Sequence, residues 1–181
     1  MKLMKTSLAT FAVAVVLGLA GCASTPKSPD VADTIRKSLH TAQLKDVSVS
    51  QDREKGVVTL KGNVAAESQK SQAEAIAKSI ATGQVVANEI AVRPTGMESE
   101  AKKIDSDLDK GIAANLDAAL VQRQLKKGVK WDVNNAVVTL SGEVSSQADR
   151  SEVQAIASTV PNVRQVVNTL QVKGQKASST M

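Results

Sequence analysis

Aromatic side chains are almost missing from this 181-residue chain, which holds one Trp, one Phe and no Tyr. Platforms on which bases or sugar rings could stack are thereby nearly excluded. There is one cysteine, Cys22, and one histidine, His40. A lone cysteine has no partner for an intramolecular disulfide. A lone histidine leaves little scope for nucleophile–base pairs, and the serines fall in caps, loops and the tail. His40 follows Leu39 near the end of a predicted helix, where a solvated imidazole suits the helix C-terminus. Asp105, Asp107 and Asp109 are spaced by two, which spreads them around a helix as a solvated segment. That stretch lacks the glycine and distal glutamate of a calcium loop. No phosphate-binding loop is present. The sequence therefore points to no enzyme and no metal site, and it calls for no cofactor.

The one long apolar run, "SLATFAVAVVLGLA" at residues 7–20, is short for a membrane span and follows Lys2 and Lys5. Residues 1–21 read as a secretory signal peptide. Its end, Leu19-Ala20-Gly21-Cys22, resembles the bacterial lipobox, in which the cysteine is lipidated and becomes the first residue of the mature chain. The resemblance implies a lipidated Cys22 with residues 22–28 as a short tether. Several acyl chains, at about 0.8 kcal/mol per buried CH₂, anchor firmly where one does not. Ala23 and Ser24 follow, with no aspartate where sorting reads inner-membrane retention. The expected location is the outer membrane, facing the periplasm. Without Lys2 and Lys5 the 23 basic residues become 21 against 18 acidic ones, a net charge of +3. That is too mild to argue for nucleic acid.

What the chain does have is a repeat. "GVVTLKGNV" at 56–64 returns as "AVVTLSGEV" at 136–144. Sliding residues 56–92 by 80 positions, without gaps, makes thirteen of 37 positions identical, Val57, Thr59, Leu60, Gly62, Ala75, Ile76 and Asn88 among them. Upstream the offset becomes 81 and pairs Val31, Ile35, Leu39 and Leu44 with Ile112, Leu116, Leu120 and Leu125. A match of this length marks a duplicated structural unit.

Each unit divides by period. Val31, Ile35 and Leu39, like Ile112, Leu116 and Leu120, recur every four residues as on one helix face. Val47 and Val49, or Val129, Trp131 and Val133, alternate as strands. A turn follows, "DREKG" at 52–56 or "NN" at 134–135, since Asn tolerates positive φ. The second strand carries Gly62 or Gly142, and a glycine inside a strand marks a bulge or a close backbone approach. Ser145 or Ser146 caps the next helix, with Asp149 completing a loose capping box. That helix buries Ala73, Ile76, Ala77 and Ile80, or Val153, Ile156, Ala157 and Val160. Val86, Ile90 and Val92, or Val166, Leu170 and Val172, then alternate as the last strand.

The predicted fold is α+β: two tandem αββαβ units, each a three-stranded mixed sheet with both helices on one face. The hairpin is followed by a right-handed helical crossover. The units span 29–94 and 111–173, with a charged linker at 95–110, whose composition also admits a helix up to Gly111, and a flexible tail at 174–181. Units of about 65 residues bury only about 60% of their unfolded surface, so packing them together would stabilise both.

The doubled pattern "VVTL.G.V … A..IA … V.N…V" resembles the BON-domain family over nearly the whole mature chain. A lipobox followed by two such units resembles the DolP type of outer-membrane lipoprotein, whereas the composition is closer to the soluble OsmY type. The first resemblance implies a non-enzymatic envelope protein whose second unit binds anionic phospholipid. The second implies a periplasmic stress chaperone or adaptor with protein partners in the envelope. A potassium-binding branch joins one BON domain to a LysM segment, and no such segment is present here.

One cluster bears on the lipid reading. "RQLKKGVKW" at 123–131 sets Arg123, Lys126, Lys127 and Lys130 beside Trp131, where the first unit has "AQLKDVSVS". Basic residues next to Trp suit an anionic headgroup layer, at about 1 kcal/mol per cation. Two readings of Trp131 stay open, since its alternation with Val129 and Val133 also suits a core position. For the four cations the alternative is an ordinary solvated turn.

Overall fold

The computed structural model describes residues 27–174. Cys22, the signal peptide and all of the tail but Gly174 lie outside the described residues. No described helix is long and apolar enough to cross a membrane.

The first unit runs α1 (Ala32–Thr41), β1 (Val47–Asp52), β2 (Val57–Val64), α2 (Glu67–Ile80) and β3 (Val85–Val92). β1 pairs antiparallel with β2, and β3 returns parallel to β2 on its other side. The second unit runs α3 (Glu98–Gln122), β4 (Val129–Asn134), β5 (Val137–Val144), α4 (Gln147–Thr159), β6 (Gln165–Asn168) and β7 (Gln171–Val172). Its pairing repeats the first, with β6 and β7 together standing where β3 stands. The expected αββαβ order is present twice.

The last strand of the second unit differs from the continuous one expected, being interrupted at Thr169 and Leu170. The amide and hydroxyl of Thr169 both donate to the Leu140 carbonyl, at 2.9 and 2.7 Å. The Leu170 amide turns to the Asn168 side chain at 3.1 Å.

Each sheet carries both its helices on one face. In the first unit Ile35 and Leu39 of α1 and Ala73 and Ala77 of α2 meet Val47, Val49, Val58, Leu60, Val86 and Ile90. Ile112, Leu116 and Leu120 of α3 and Val153 and Ala157 of α4 do the same over Val129, Val138 and Leu140. The α4 cap is as expected: Ser146 Oγ accepts from the Asp149 amide at 3.0 Å. In α2 an alanine stands at that place, and Gln69 Oε1 instead accepts from the Ala65 and Ala66 amides at 3.0 and 3.2 Å.

Residues 98–110, expected as linker, are the N-terminal half of α3 and run into the predicted helix without a break. Glu98 and Glu100 sit in the first turn, where acidic side chains favour a helix. This register corrects the reading of the three aspartates as a solvated segment. Asp105 and Asp109 lie on the face that continues as Ile112 and Leu116, and only Asp107 stays in solvent, paired with Lys110 at 3.3 Å. The Asp109 carboxylate accepts from the amides of Asn135 and Ala136 at 2.8 and 2.9 Å. These two residues form the β4–β5 turn, one position later than "NN", and both hold positive φ, 50° and 65°. The first unit places Gly56 at the matching point. The bidentate carboxylate holds in Ala136 a backbone that glycine adopts freely.

The helix-free faces of the two sheets meet. Val57 and Ala87 of one unit and Val137 and Val167 of the other form a separate buried cluster. These are the same two positions in each repeat, so the apolar contact is pseudo-symmetric. The polar contacts around it are not. Gln165 donates to the Val86 carbonyl at 2.7 Å and accepts from the Asn88 amide at 3.1 Å. Asn135 Nδ2 donates to the Glu89 carbonyl at 2.7 Å.

Glu89 itself is buried beside this contact, with Lys61 Nζ at 3.1 Å from its carboxylate. Burial pushes its pKa up; Lys61 opposes the shift, and Asp132 and Asp109 of the second unit add to it. A carboxyl whose pKa is raised on folding binds its proton more tightly when folded. Its contribution to stability therefore falls as pH rises from the ordinary glutamate range through the raised value, and it is least favourable at neutral pH. Glu89→Gln is expected to stabilise the chain by roughly 1 kcal/mol at neutral pH, since Lys61 is exposed and keeps its water. The gain should shrink on acidification. Urea denaturation of both proteins across pH checks this, and a gain that grows as pH falls would reverse the sign.

Candidate lipid-facing turn of the second unit

The basic cluster lies where α3 ends and β4 begins. In both units a leucine, the buried Leu44 or the half-buried Leu125, closes the helix by donating its amide to Leu39 or Leu120, at 2.9 Å in each case. The preceding glutamine, Gln43 or Gln124, holds a left-handed backbone, φ 61° or 58°. From there the units diverge. The strand resumes at Val47 in the first unit and at Val129 in the second, so the second turn is one residue longer. Gly128 makes the extra residue fit. Its φ is +84°, and a Cβ there would stand 2.4 Å from the Glu143 carbonyl oxygen.

The cations do not gather as one patch. Lys126 Nζ pairs with Asp117 at 2.6 Å and sits 5.9 Å from the centre of the Trp131 ring, within cation–π range. Arg123 reaches Glu152 at 3.8 Å. Lys127 and Lys130 are exposed, and no ion pair to either occurs among the described residues. Strand alternation sends Lys130 to the sheet face opposite Val129 and Trp131.

Trp131 pairs with Leu140 across the hairpin and packs, half-buried, against the core of its unit. Its remaining edge lines an open groove of about 480 Å³ with Asp109, Lys110 and Ala113 of α3. The core reading of this ring is the better description. His40 is exposed in the last turn of α1, as expected. No cluster of three metal-ligating side chains occurs among the described residues.

Sequence reasoning missed the inter-unit residues, Gln165 and Asn135 above all, and the Asp109 carboxylate that holds the β4–β5 turn. A signal for the contact was present in "VVTL". Consecutive valines at 57–58 and 137–138 put apolar groups on both sheet faces, and only one face is covered by helices.

Two repeated helix-on-sheet units, joined by a helix and packed through their bare faces, define a small two-domain α+β protein. The BON domain family model matches residues 28–94 and 108–174. The chain belongs to the BON-domain family, with two copies. It is 32% identical over 130 residues to Osmotically-inducible protein Y of Escherichia coli (strain K12), covering 71% of this chain and 62% of that protein. The chain thus spans less than two thirds of that relative's length. Among solved structures, the C-terminal domain of CdsD, a structural protein of the type III secretion system of Chlamydia trachomatis, matches at 15% identity with a TM-score of 0.31. That match covers 77% of this chain and 66% of that one. A second CdsD structure gives 16% and 0.28, over 76% and 61%. Likenesses this loose add nothing to the assignment.

Proposed function

We propose that the chain is a non-enzymatic outer-membrane lipoprotein, anchored through Cys22 and facing the periplasm, that supports envelope integrity. In this reading its second unit binds anionic phospholipid. The observation that carries it is the longer turn of that unit, with Lys127 and Lys130 exposed beside Lys126 and in no ion pair among the described residues. Each cation near an anionic surface is worth about 1 kcal/mol. Lipids on Cys22 would hold the unit nearby and make this weak contact intramolecular. Trp131 has a structural part here, which leaves the lysines to act alone.

The test mixes residues 23–181, without lipid, with neutral or anionic vesicles. Charge reversal at Lys126, Lys127 and Lys130, each to Glu, should weaken binding to anionic vesicles by a factor of roughly 100. Binding should fade as salt brings the screening length below about 10 Å, and Trp131 emission should move little. Equal binding by both proteins, or binding indifferent to lipid charge, would defeat the reading.

The likeness to Osmotically-inducible protein Y favours a second reading, a stress-induced periplasmic protein that acts on protein partners. Under it the unlipidated protein ignores vesicles and retains its activity after charge reversal.

A further inference from the structure

β4 is the outer strand of its sheet, as β1 is of the first. The Gly128 carbonyl accepts from the Glu143 amide at 2.9 Å, so Gly128 belongs to a bonded pair of the hairpin. Alternation from there turns the backbone groups of Val129, Trp131 and Val133 away from β5. The Val129 amide donates to the Lys126 carbonyl at 3.1 Å. The Val129 carbonyl and both backbone groups of Trp131 and Val133 have no hydrogen-bond partner among the described residues.

The first unit shows what covers such an edge. Arg36 of α1 donates to the Val49 carbonyl at 3.2 Å. The Gln51 side chain holds residues 29–31 alongside, donating to the Pro29 carbonyl at 2.7 Å and accepting from the Val31 amide at 3.1 Å. In the second unit Asp117 stands where Arg36 stands, and Val133 where Gln51 stands. A carboxylate cannot donate to a carbonyl, and Asp117 is engaged with Lys126. The edge of β4 is left open, beside the groove that the free side of Trp131 lines.

The strand is complementary to itself. Laid antiparallel to a second copy with Trp131 opposite Trp131, the two Trp131 residues exchange both their backbone bonds. The Val133 amide then donates to the Val129 carbonyl of the other copy. Val129 faces Val133 on the helix-covered side, and Lys130 faces Asp132 on the other side, each twice by symmetry. Sliding to the next bonded register in either direction sets Lys130 against Lys130 or Asp132 against Asp132. Both side chains are exposed, and opposite charges across a strand pair favour it where like charges oppose it. Charge thus selects the centred register.

We propose that the outer edge of β4 binds the same edge of a second copy of this chain, joining the two second-unit sheets into one across a two-fold axis. This goes beyond the lipid reading and requires no lipid.

The test follows residues 23–181, which include every described residue, by sedimentation velocity across concentration, without lipid or vesicles. Wild type should pass from monomer to dimer as concentration rises. Lys130→Asp or Asp132→Lys places like charges opposite each other at two points and should raise the dissociation constant roughly thirtyfold. A one-to-one mixture of these variants should recover the wild-type constant as a mixed dimer. The double variant Lys130→Asp/Asp132→Lys should recover it alone, with the net charge of wild type. Both positions are exposed, and Trp131 emission reports that the second unit stays folded. Monomer alone at every concentration would overturn the proposal and leave the edge to an extended segment of another protein. A dimer that the single reversals leave unchanged, or that neither the mixture nor the double variant restores, would overturn it as well.

Discussion

Gly142→Ala is expected to unfold the second unit. Gly142 lies inside β5 at φ +106°, and a Cβ there would stand 2.1 Å from the carbonyl oxygen of Gly128. The obstacle is backbone, which cannot swing aside as a side chain tip can. Crowding and the left-handed backbone together cost about 3–5 kcal/mol. A unit of this size has only about 3–10 kcal/mol to lose. Gly62→Ala should do the same to the first unit, where the added carbon would lie 2.0 Å from the Asp46 carbonyl oxygen. Gly83→Ala is the control. It too has positive φ, +77°, but no atom lies within 4 Å of the added carbon, so only the backbone term of about 1 kcal/mol applies. Trp131 is the only aromatic among the described residues, so its emission follows the second unit alone while circular dichroism follows both. A urea midpoint for Gly142→Ala within error of wild type would dismiss the close-approach account.

Val167→Asp is expected to separate the units without unfolding them. Val167 is 1% exposed and belongs to the inter-unit cluster with Val57, Ala87 and Val137, not to the core under the helices. An aspartate there would be an unpaired charge in an apolar seam, at a cost of several kcal/mol, which parting the units avoids. Wild type should unfold in one transition by both probes. In the variant the two curves should come apart, and protease should cut near residues 95–110 once Asp105 no longer faces the first unit. Coincident curves with a stability change below about 0.5 kcal/mol would show that the seam contributes little.

The parts of the fold that could be read in advance are those fixed by period. Ile35 and Leu39, or Val58 and Leu60, point inward whatever lies beyond the unit, and the repeat makes each reading twice. Gly62 and Gly142 could be recognised as close approaches because only lack of a side chain explains a glycine there. The inter-unit contact follows another logic. It depends on which side chains two finished surfaces bring together across about 80 residues of chain. Gln165 and Asn135 look like ordinary solvated residues until the surface opposite them is known. The aspartates of the linker were misread for a related reason. Its composition suits solvent, but its register continues the helix that follows, and the register decides. The basic turn shows the converse, since adjacency in "RQLKKGVKW" placed five side chains together that the strand pleat and two ion pairs then divided.

The side-chain amide of Gln165 has a consequence beyond holding the units in place. It offers the Val86 carbonyl and the Asn88 amide the same donor and acceptor that a neighbouring strand would offer. The outer edge of β3 is therefore already occupied at its centre by a group that cannot propagate. An unoccupied edge invites strands from other molecules to add on and extend the sheet. At Val86 and Asn88 the Gln165 side chain thus takes up the edge groups to which an added strand would bond.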